Sequence, residues 1–467
     1  MNRLVNMILD TDSYKFSQYA QYPRRMNKMY SYFESRGGYA DATVFFGLQY
    51  ILKVHFCSPI TVAEVEEAAI FAKAHGVPFN YEGWMYIATK LGGKLPVRIK
   101  AVAEGSVVRV HNVLMTIEST DEQVPWIVNW LETALVRVWY PISVATLSRE
   151  CAKVIMPFEK QTVEGDKIMG DIAFKLNDFG SRGATCQEAA GIGGMAHLTG
   201  LFKGTDTIAG VVFANKYYNA EMAGFSIPAS EHSTVTSWGR ENEAEMMANM
   251  MEVFKDYPLV ACVSDSYNYF NSVDKIWGVT LKDGILGTDK IRICRPDSGD
   301  PVECVIYALR SFAESYGYTV NAKGYKVLNN MRVIQGDGIN IEDIKVILLA
   351  VVNDGFSVEN VNFGMGGGLL QKFVNRDTHK FAFKCSYVEV DGEPRDVFKN
   401  PITDKVKVSK KGRLALVKDI NGEFVTISEE MALHHNEEDL LRTVFENGEM
   451  VVNYTLEDVR TQSIKGI

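Results

Sequence analysis

The sequence predicts an α/β protein: an irregular α/β barrel with a second, α+β domain built from the two ends of the chain. Two observations carry this. From about residue 168, short apolar runs end in charged or glycine-rich turns, and most are followed by a helical pattern. Repeated strand-then-helix units imply a parallel sheet. Toward both ends the pattern changes to alternation, and Asp391-Gly392 and Asn421-Gly422 are strong hairpin-turn signals. The expected division puts residues 1–150 and 385–467 in the α+β domain and residues 151–384 in the barrel.

The elements follow in order. Asp10–Tyr22 is polar, aromatic and aperiodic, with Asp12 and Tyr14 in a capped turn. Met29–Phe33 alternates as a strand does, and Thr43–Phe56 carries apolar residues at helical spacing. A helix over about Val62 to His75 opens on a capping box, Thr61 with Glu64. Pro96–Glu118 alternates as antiparallel strands with turns at Glu104-Gly105 and His111-Asn112. Pro125–Tyr140 reads as a long amphipathic helix ended by Pro141. In the barrel half, Ala173–Leu176, Leu259–Val263, Ile291–Cys294, Met331–Ile334 and Val361–Phe363 are the strands, and a helix over Leu369–Phe373 follows the last. Phe381–Val390 is a further strand, after which the chain rejoins the N-terminal strands. Residues 405–413 hold five basic side chains and read as a solvated loop.

Composition excludes several functions. The chain has 467 residues, 46% of them hydrophobic and 23% charged, as in an ordinary globular protein of two or three domains. A net charge of -9 argues against nucleic acid, so an anionic substrate needs local cations. The seven Cys are scattered and form no Cys-x-x-Cys pair, which fits reduced thiols in the cytoplasm. The N-terminal apolar run is too short for a signal sequence, and no stretch approaches a membrane span.

In α/β barrels and sheets, ligands sit at the carboxyl ends of the strands. The clusters Asp178–Arg182, Ser264–Asn268, Arg295–Gly299, Gly336–Gly338 and Gly364–Gly368 are therefore expected at one mouth. Arg295 can grip a phosphate and Asp297 can accept from sugar hydroxyls, unless the two form only a local salt bridge. Gly336-Asp337 repeats the glycine-carboxylate pattern. Gly364–Gly368 leaves backbone N–H groups open to a phosphate, or is simply a turn. Together these suit a phosphorylated sugar, with metal carried in on its phosphates. Gly224–Thr234, GFSIPASEHST, reads as a loop carrying Glu231 and His232. A lone His is commonly structural, and the neighbouring clusters are what make it a catalytic candidate.

TDSYK at 11–15, NDFGSRG at 177–183, KGTDT at 203–207, PASEHST at 228–234, SDSY at 264–267, RPDSG at 295–299, QGDG at 335–338 and FGMGGGLLQK at 363–372 occur in a familiar order. The chain resembles the nicotinamide phosphoribosyltransferases over nearly its whole length. The resemblance implies a type II phosphoribosyltransferase-like barrel. It implies that nicotinamide and 5-phosphoribosyl 1-pyrophosphate give nicotinamide mononucleotide and pyrophosphate in NAD salvage. It also implies Mg²⁺ with the phosphates, ATP hydrolysis coupled through a phospho-form of His232, and a homodimer with shared sites. Phe179 would stack on the pyridine ring, Tyr14 of the other subunit would cover its far face, and Arg182 would lie beside it. Asp206 would accept from the carboxamide with Ser226 helping to hold that amide. Arg295, Asp297, Gly336 and Asp337 would hold ribose and phosphates, with Gly366 and Gly367 at the 5′-phosphate. Asp12, Arg376 and Lys384 match further positions near the phosphate or the interface. His232, Glu231 and Asp297 form the expected catalytic set.

Asp206 disfavours a nicotinate carboxylate by like charge, unless it is the cap of the apolar helix from Ile208. Two alternatives stay open: a nicotinate or quinolinate phosphoribosyltransferase on the same barrel, and a non-catalytic nucleotide-binding or secreted signalling protein. Members of the family typically carry Asp at the position of Asn268, near the catalytic His, and an amide there cannot take its proton. Vertebrate members carry His at the position of Asn177, so their channel and regulatory properties are not carried over.

Overall fold

The computed structural model describes residues 5–403 and 408–467. It divides into two compact units: Met1–Thr146 with Lys216–Asn219 and Val374–Lys465, and Leu147–Asn215 with Ala220–Phe373 and Gly466–Ile467.

The second unit holds the parallel sheet. Its strands are β1 (Leu176–Asp178), β2 (Gly204–Thr205), β3 (Leu259–Val263), β4 (Ile291–Arg295), β5 (Met331–Gln335) and β6 (Val361–Met365), all parallel where paired. The order is β2-β1-β6-β5-β4-β3. The two edges are joined by the irregular segment expected to be a free loop. Phe225 bridges Gly204 of β2 and Ala229 bridges Ala261 of β3, both in parallel sense. Pro228 inside that segment has no N–H, so a regular strand cannot run through it, and the barrel closes through these two bridges. Ala261, Ile293 and Ile334 face inward and pack with Phe179, Ile227, Leu259 and Ile291.

The mouth turns run directly into helix caps. Asp300 caps Pro301–Tyr316 through Glu303 N, with Pro301 in the first turn, where a missing N–H is harmless. Asn340 and Asp343 form a capping box on Ile341–Asn353. The first of these helices buries Cys304, Val305, Ala308, Leu309, Phe312 and Tyr316, one stripe at helical spacing. At the opposite end of the sheet, Lys175 is fully buried. Its Nζ donates to the carbonyls of Val358 (2.8 Å) and Val361 (3.1 Å) and lies 2.5 Å from Asp171 and 3.4 Å from Glu159. This ties the entry of β1 to that of β6. Burial pushes the Glu159 carboxyl up to about 8, with Lys175 opposing the push.

The first unit is built on a seven-stranded sheet that draws on both chain ends. Its order is Glu393–Asp396, Ala382–Val390, Met26–Glu34, Val113–Ser119, Val97–Ala101, Arg442–Glu446 and Glu449–Met450. The capping-box helix Val62–His75 forms as expected, with Thr61 and Glu64 capping reciprocally.

Several expectations need correction. The boundary placed at residue 384/385 cuts a strand: Ala382–Val390 pairs antiparallel with Met26–Glu34, so residues 374–384 belong to the first unit. Pro125–Tyr140 is two short helices, Ile127–Trp130 and Glu132–Val136, and Pro141 lies in the first turn of Trp139–Thr162 instead of ending a helix. Thr43–Phe56 starts as the strand Ala42–Val44 and becomes helical only at Leu48, after Gly47 in the left-handed region. The strand read as Ala173–Leu176 is Leu176–Asp178. Of the basic run 405–413, residues 405–407 lie outside the described residues. Its other end is tied down, with Lys410 on Glu34 and Arg413 on Glu118 (2.8 Å) and Glu429 (2.6 Å). Among the described residues, no helix is long and apolar enough to cross a membrane.

Candidate active site

The carboxyl ends of the six barrel strands bring most of the expected residues to one mouth. His232 is delivered by the closing segment. Ser230 N donates to Ala261 O (3.0 Å), Ala261 N donates to Pro228 O (3.0 Å), and Val263 N donates to Ser230 Oγ (2.9 Å). This clamps PASEHST along β3, two residues from Asp265.

Two carboxylates then face one ring nitrogen. His232 Nε2 lies 3.3 Å from Asp297 Oδ2 and 3.7 Å from Asp265 Oδ1, while Nδ1 is 3.1 Å from Ser266 Oγ. Asp265 is buried and its other oxygen accepts from Ser298 Oγ. Asp297 shares its second oxygen with Arg295 Nη2 at 2.7 Å, so the expected local salt bridge exists and also reaches the histidine. Carboxylates on the Nε2 side favour a proton there, which leaves Nδ1 as the nitrogen with a lone pair in the neutral ring. Glu231, expected in the catalytic set, is used locally. Its carboxylate accepts from Ser233 Oγ, and its N–H donates to Thr234 Oγ1 (3.2 Å) at the start of the short helix His232–Thr236.

Phe179 sits over glycines. A Cβ on Gly364 would lie 2.0 Å from its Cε2, and one on Gly336 3.3 Å from the same atom. The Arg295 guanidinium stands 5.4 Å from the ring centroid. The glycine run thus divides by role. Gly364 makes room for the ring, Gly368 for the Ile339 carbonyl (2.6 Å), and a Cβ on Gly367 would meet nothing within 4 Å. Gly367 is the open position, and a Cβ on Gly366 would only touch the Phe179 carbonyl at 3.4 Å. The helix after them is Gly367–Leu370, shorter than the expected Leu369–Phe373 and starting two residues earlier. Asp337 and Arg182 are exposed in turns at the same mouth.

Asp206 is exposed, and its carboxylate accepts from Ser226 Oγ at 2.5 Å. Its N–H donates to Asp178 O (2.9 Å), which fixes the turn after β2 against the end of β1. The alternative of Asp206 as a cap does not describe this carboxylate, which is turned to Ser226.

Four expected residues lie in the first unit. Asp12 accepts from Thr133 Oγ1 (2.8 Å), and Tyr14 is 61% exposed beside Lys15, whose Nζ is 2.6 Å from Glu132. Arg376 is exposed next to Asp377 (3.3 Å). Burial lowers the Lys384 ammonium, and the cations Arg36, Lys399 and Arg376 lower it further against the pull of Glu132.

A family model for the nicotinate phosphoribosyltransferase (NAPRTase) family matches residues 174–449, and one for the nicotinamide phosphoribosyltransferase N-terminal domain matches residues 6–99. A curated nicotinamide phosphoribosyltransferase of Xanthomonas campestris pv. campestris (strain 8004) is 49% identical over 467 residues, covering 99% of each chain. The chain belongs to the nicotinamide phosphoribosyltransferase family. A second member, from Acinetobacter baylyi, is 30% identical over 508 residues, covering 98% of this chain and 97% of its own. Two solved structures share the fold. The nicotinate-nucleotide pyrophosphorylase of Pyrococcus furiosus has a TM-score of 0.61 at 15% identity, covering 99% of this chain and 96% of that one. Human nicotinic acid phosphoribosyltransferase has a TM-score of 0.53 at 16% identity, with 97% and 92% covered.

For this member of the family, sequence reasoning missed four residues at the mouth. Asp265, Ser266 and Ser298 surround His232, and Asp178 lies buried beneath Asp206. All four stood inside clusters already assigned to the mouth, but nothing in the spacing said which members turn inward. Asn268, expected beside the catalytic His, caps the short helix Tyr269–Asn271 through Asn271 N (3.0 Å). Asn177 donates to the carbonyls of Phe174 (3.1 Å) and Phe363 (3.0 Å).

Proposed function

We propose that the chain transfers the phosphoribosyl group of 5-phosphoribosyl 1-pyrophosphate to nicotinamide in the cytoplasm, as a homodimer, with ATP hydrolysis coupled through His232. The observation that carries the choice of base is the Asp206–Ser226 pair near Phe179. Asp206 can accept from a carboxamide N–H, and the hydroxyl of Ser226 fixes its orientation. A nicotinate carboxylate would face like charge there.

Departure of pyrophosphate leaves positive charge on the sugar carbon and negative charge on the leaving oxygens. Asp297 and Asp337 would favour the first, and Arg295 with magnesium brought in on the phosphates would favour the second. Gly366 and Gly367 offer N–H groups to the 5′-phosphate without a side chain in the way. Phe179 orients the ring so that its weakly nucleophilic nitrogen meets the sugar carbon.

The ATP half rests on the two carboxylates at His232 Nε2. They hold a proton on that nitrogen, so Nδ1 attacks the γ-phosphorus as the bond to ADP breaks. Water later takes the phosphoryl group and restores the ring. Asp297 touches both Arg295 and His232, so a change of charge on the histidine is felt at the sugar-phosphate groups. From the resemblance, Tyr14 of the other subunit covers the far face of the ring, and Asp12, Arg376 and Lys384 lie near the phosphate or the interface.

Pyrophosphate release with nicotinamide, nicotinate or quinolinate, each with and without ATP, tests the reading. Nicotinamide should lead, and ATP should raise its kcat/KM. A preference for either acid would overturn the choice of base, and indifference to ATP would overturn the role of His232.

A further inference from the structure

Asp178 is the last residue of β1 and is fully buried. Its Oδ1 accepts from Gly180 N at 2.7 Å, and its carbonyl accepts from Asp206 N at 2.9 Å. Helix Gln187–His197 closes over Oδ2, where a Cβ on Gly194 would stand 3.3 Å away with Thr207 beside it. Met365 of β6 is its neighbour across the sheet. Gly180, Thr207, Gly194 and Met365 carry no charge, and the charged group acting on Asp178 is Asp206.

A turn residue holding Phe179 in place needs only an acceptor for Gly180 N, and asparagine would supply that equally well. A buried carboxyl behind a substrate-facing carboxylate costs more and does more. Burial pushes Asp178 up to about 6, with the Gly180 amide opposing the push and Asp206 adding to the rise. Its charge therefore changes close to neutral pH.

We propose that Asp178 is a positioning residue for specificity: its charge, acting with that of Asp206, sets how strongly the base pocket rejects the acid analogue of nicotinamide. The inference rests on the reading of Asp206 as the partner of the carboxamide. Once Asp178 is ionised, two negative charges oppose an incoming carboxylate. When it is protonated, only Asp206 does. Neutral nicotinamide is indifferent to the change.

The test measures nicotinate as a competitive inhibitor of nicotinamide use from about pH 5.5 to about pH 7.5, a range centred near the Asp178 transition. For the wild-type chain, the nicotinate Ki divided by the nicotinamide KM should rise about three- to tenfold with pH. In Asp178→Asn, which keeps the acceptor for Gly180, the ratio should stay flat. A flat wild-type ratio, or Asp178→Asn following the wild-type curve, overturns the inference. Asp206→Asn at about pH 7.5 separates the premise from the inference. An unchanged Ki there sinks the Asp206 reading together with this one. A lowered Ki beside a flat wild-type profile sinks this one alone.

Discussion

Gly364→Ala is the smallest change that tests how the ring pocket is built. The added Cβ would lie 2.0 Å from Phe179 Cε2 and 2.2 Å from Cδ2. The ring must retreat by about 1.4 Å to reach the 3.4 Å at which ordinary contact begins. Over the ring stands the Arg295 guanidinium, 5.4 Å from the centroid and held 2.7 Å from Asp297. The strain thus passes to the groups that face His232. Overpacking of this kind costs about 1–3 kcal/mol of stability. Misplacing a positioning group by about 1 Å costs about a hundredfold in rate. In steady-state assays, kcat/KM for nicotinamide should fall about a hundredfold while the variant still unfolds cooperatively. Gly367→Ala is the companion: nothing lies within 4 Å of its Cβ, so the fold should be untouched and the change should raise the KM for the phosphoribosyl substrate. A folded Gly364→Ala with nicotinamide kcat/KM within about threefold of wild type would refute the packing argument.

Asp265→Asn should remove most of the ATP-dependent gain and leave ATP-free transfer within about threefold, because the carboxylate touches His232 and not the base. Asn268→Asp should change neither, since Asp caps a helix as well as Asn does; a stronger ATP effect in that variant would show that position 268 acts on His232. Lys175→Met takes the buried donor from the carbonyls of Val358 and Val361 and the cation from Asp171, and should cost about 1–3 kcal/mol in urea unfolding near neutral pH. A loss below about 0.5 kcal/mol would refute this role for Lys175.

The barrel was legible because its strands are buried on both faces. Leu259–Val263, Met331–Gln335 and Val361–Met365 are short apolar runs bounded by turns, and their bounds were read to within two residues. The closing segment was not legible. Phe225 and Ala229 each make a single bridge, and isolated bridges leave no periodic trace. Pro141 misled because proline has the same appearance at the end of one helix and in the first turn of the next. The choice depends on whether the residues before it, Glu132–Val136, form a separate helix, and tertiary packing decides that.

At the site, residue types were legible and directions were not. Asp206 and Ser226 are twenty positions apart, and only the bridge between Gly204 and Phe225 brings them together. Around His232, four acceptors were available in sequence: Glu231, Asp265, Asn268 and Asp297. Their fates follow from local backbone geometry. Glu231 starts a helix and serves its own loop, and Asn268 starts another and caps it. Asp265 and Asp297 lie just beyond the ends of the adjacent strands β3 and β4, before any helix begins, so their side chains are free to turn to the ring. Short polar side chains at helix starts satisfy orphan N–H groups first. That rule separates the two pairs, and it requires knowing where each helix begins to within one residue, which is where sequence patterns are weakest.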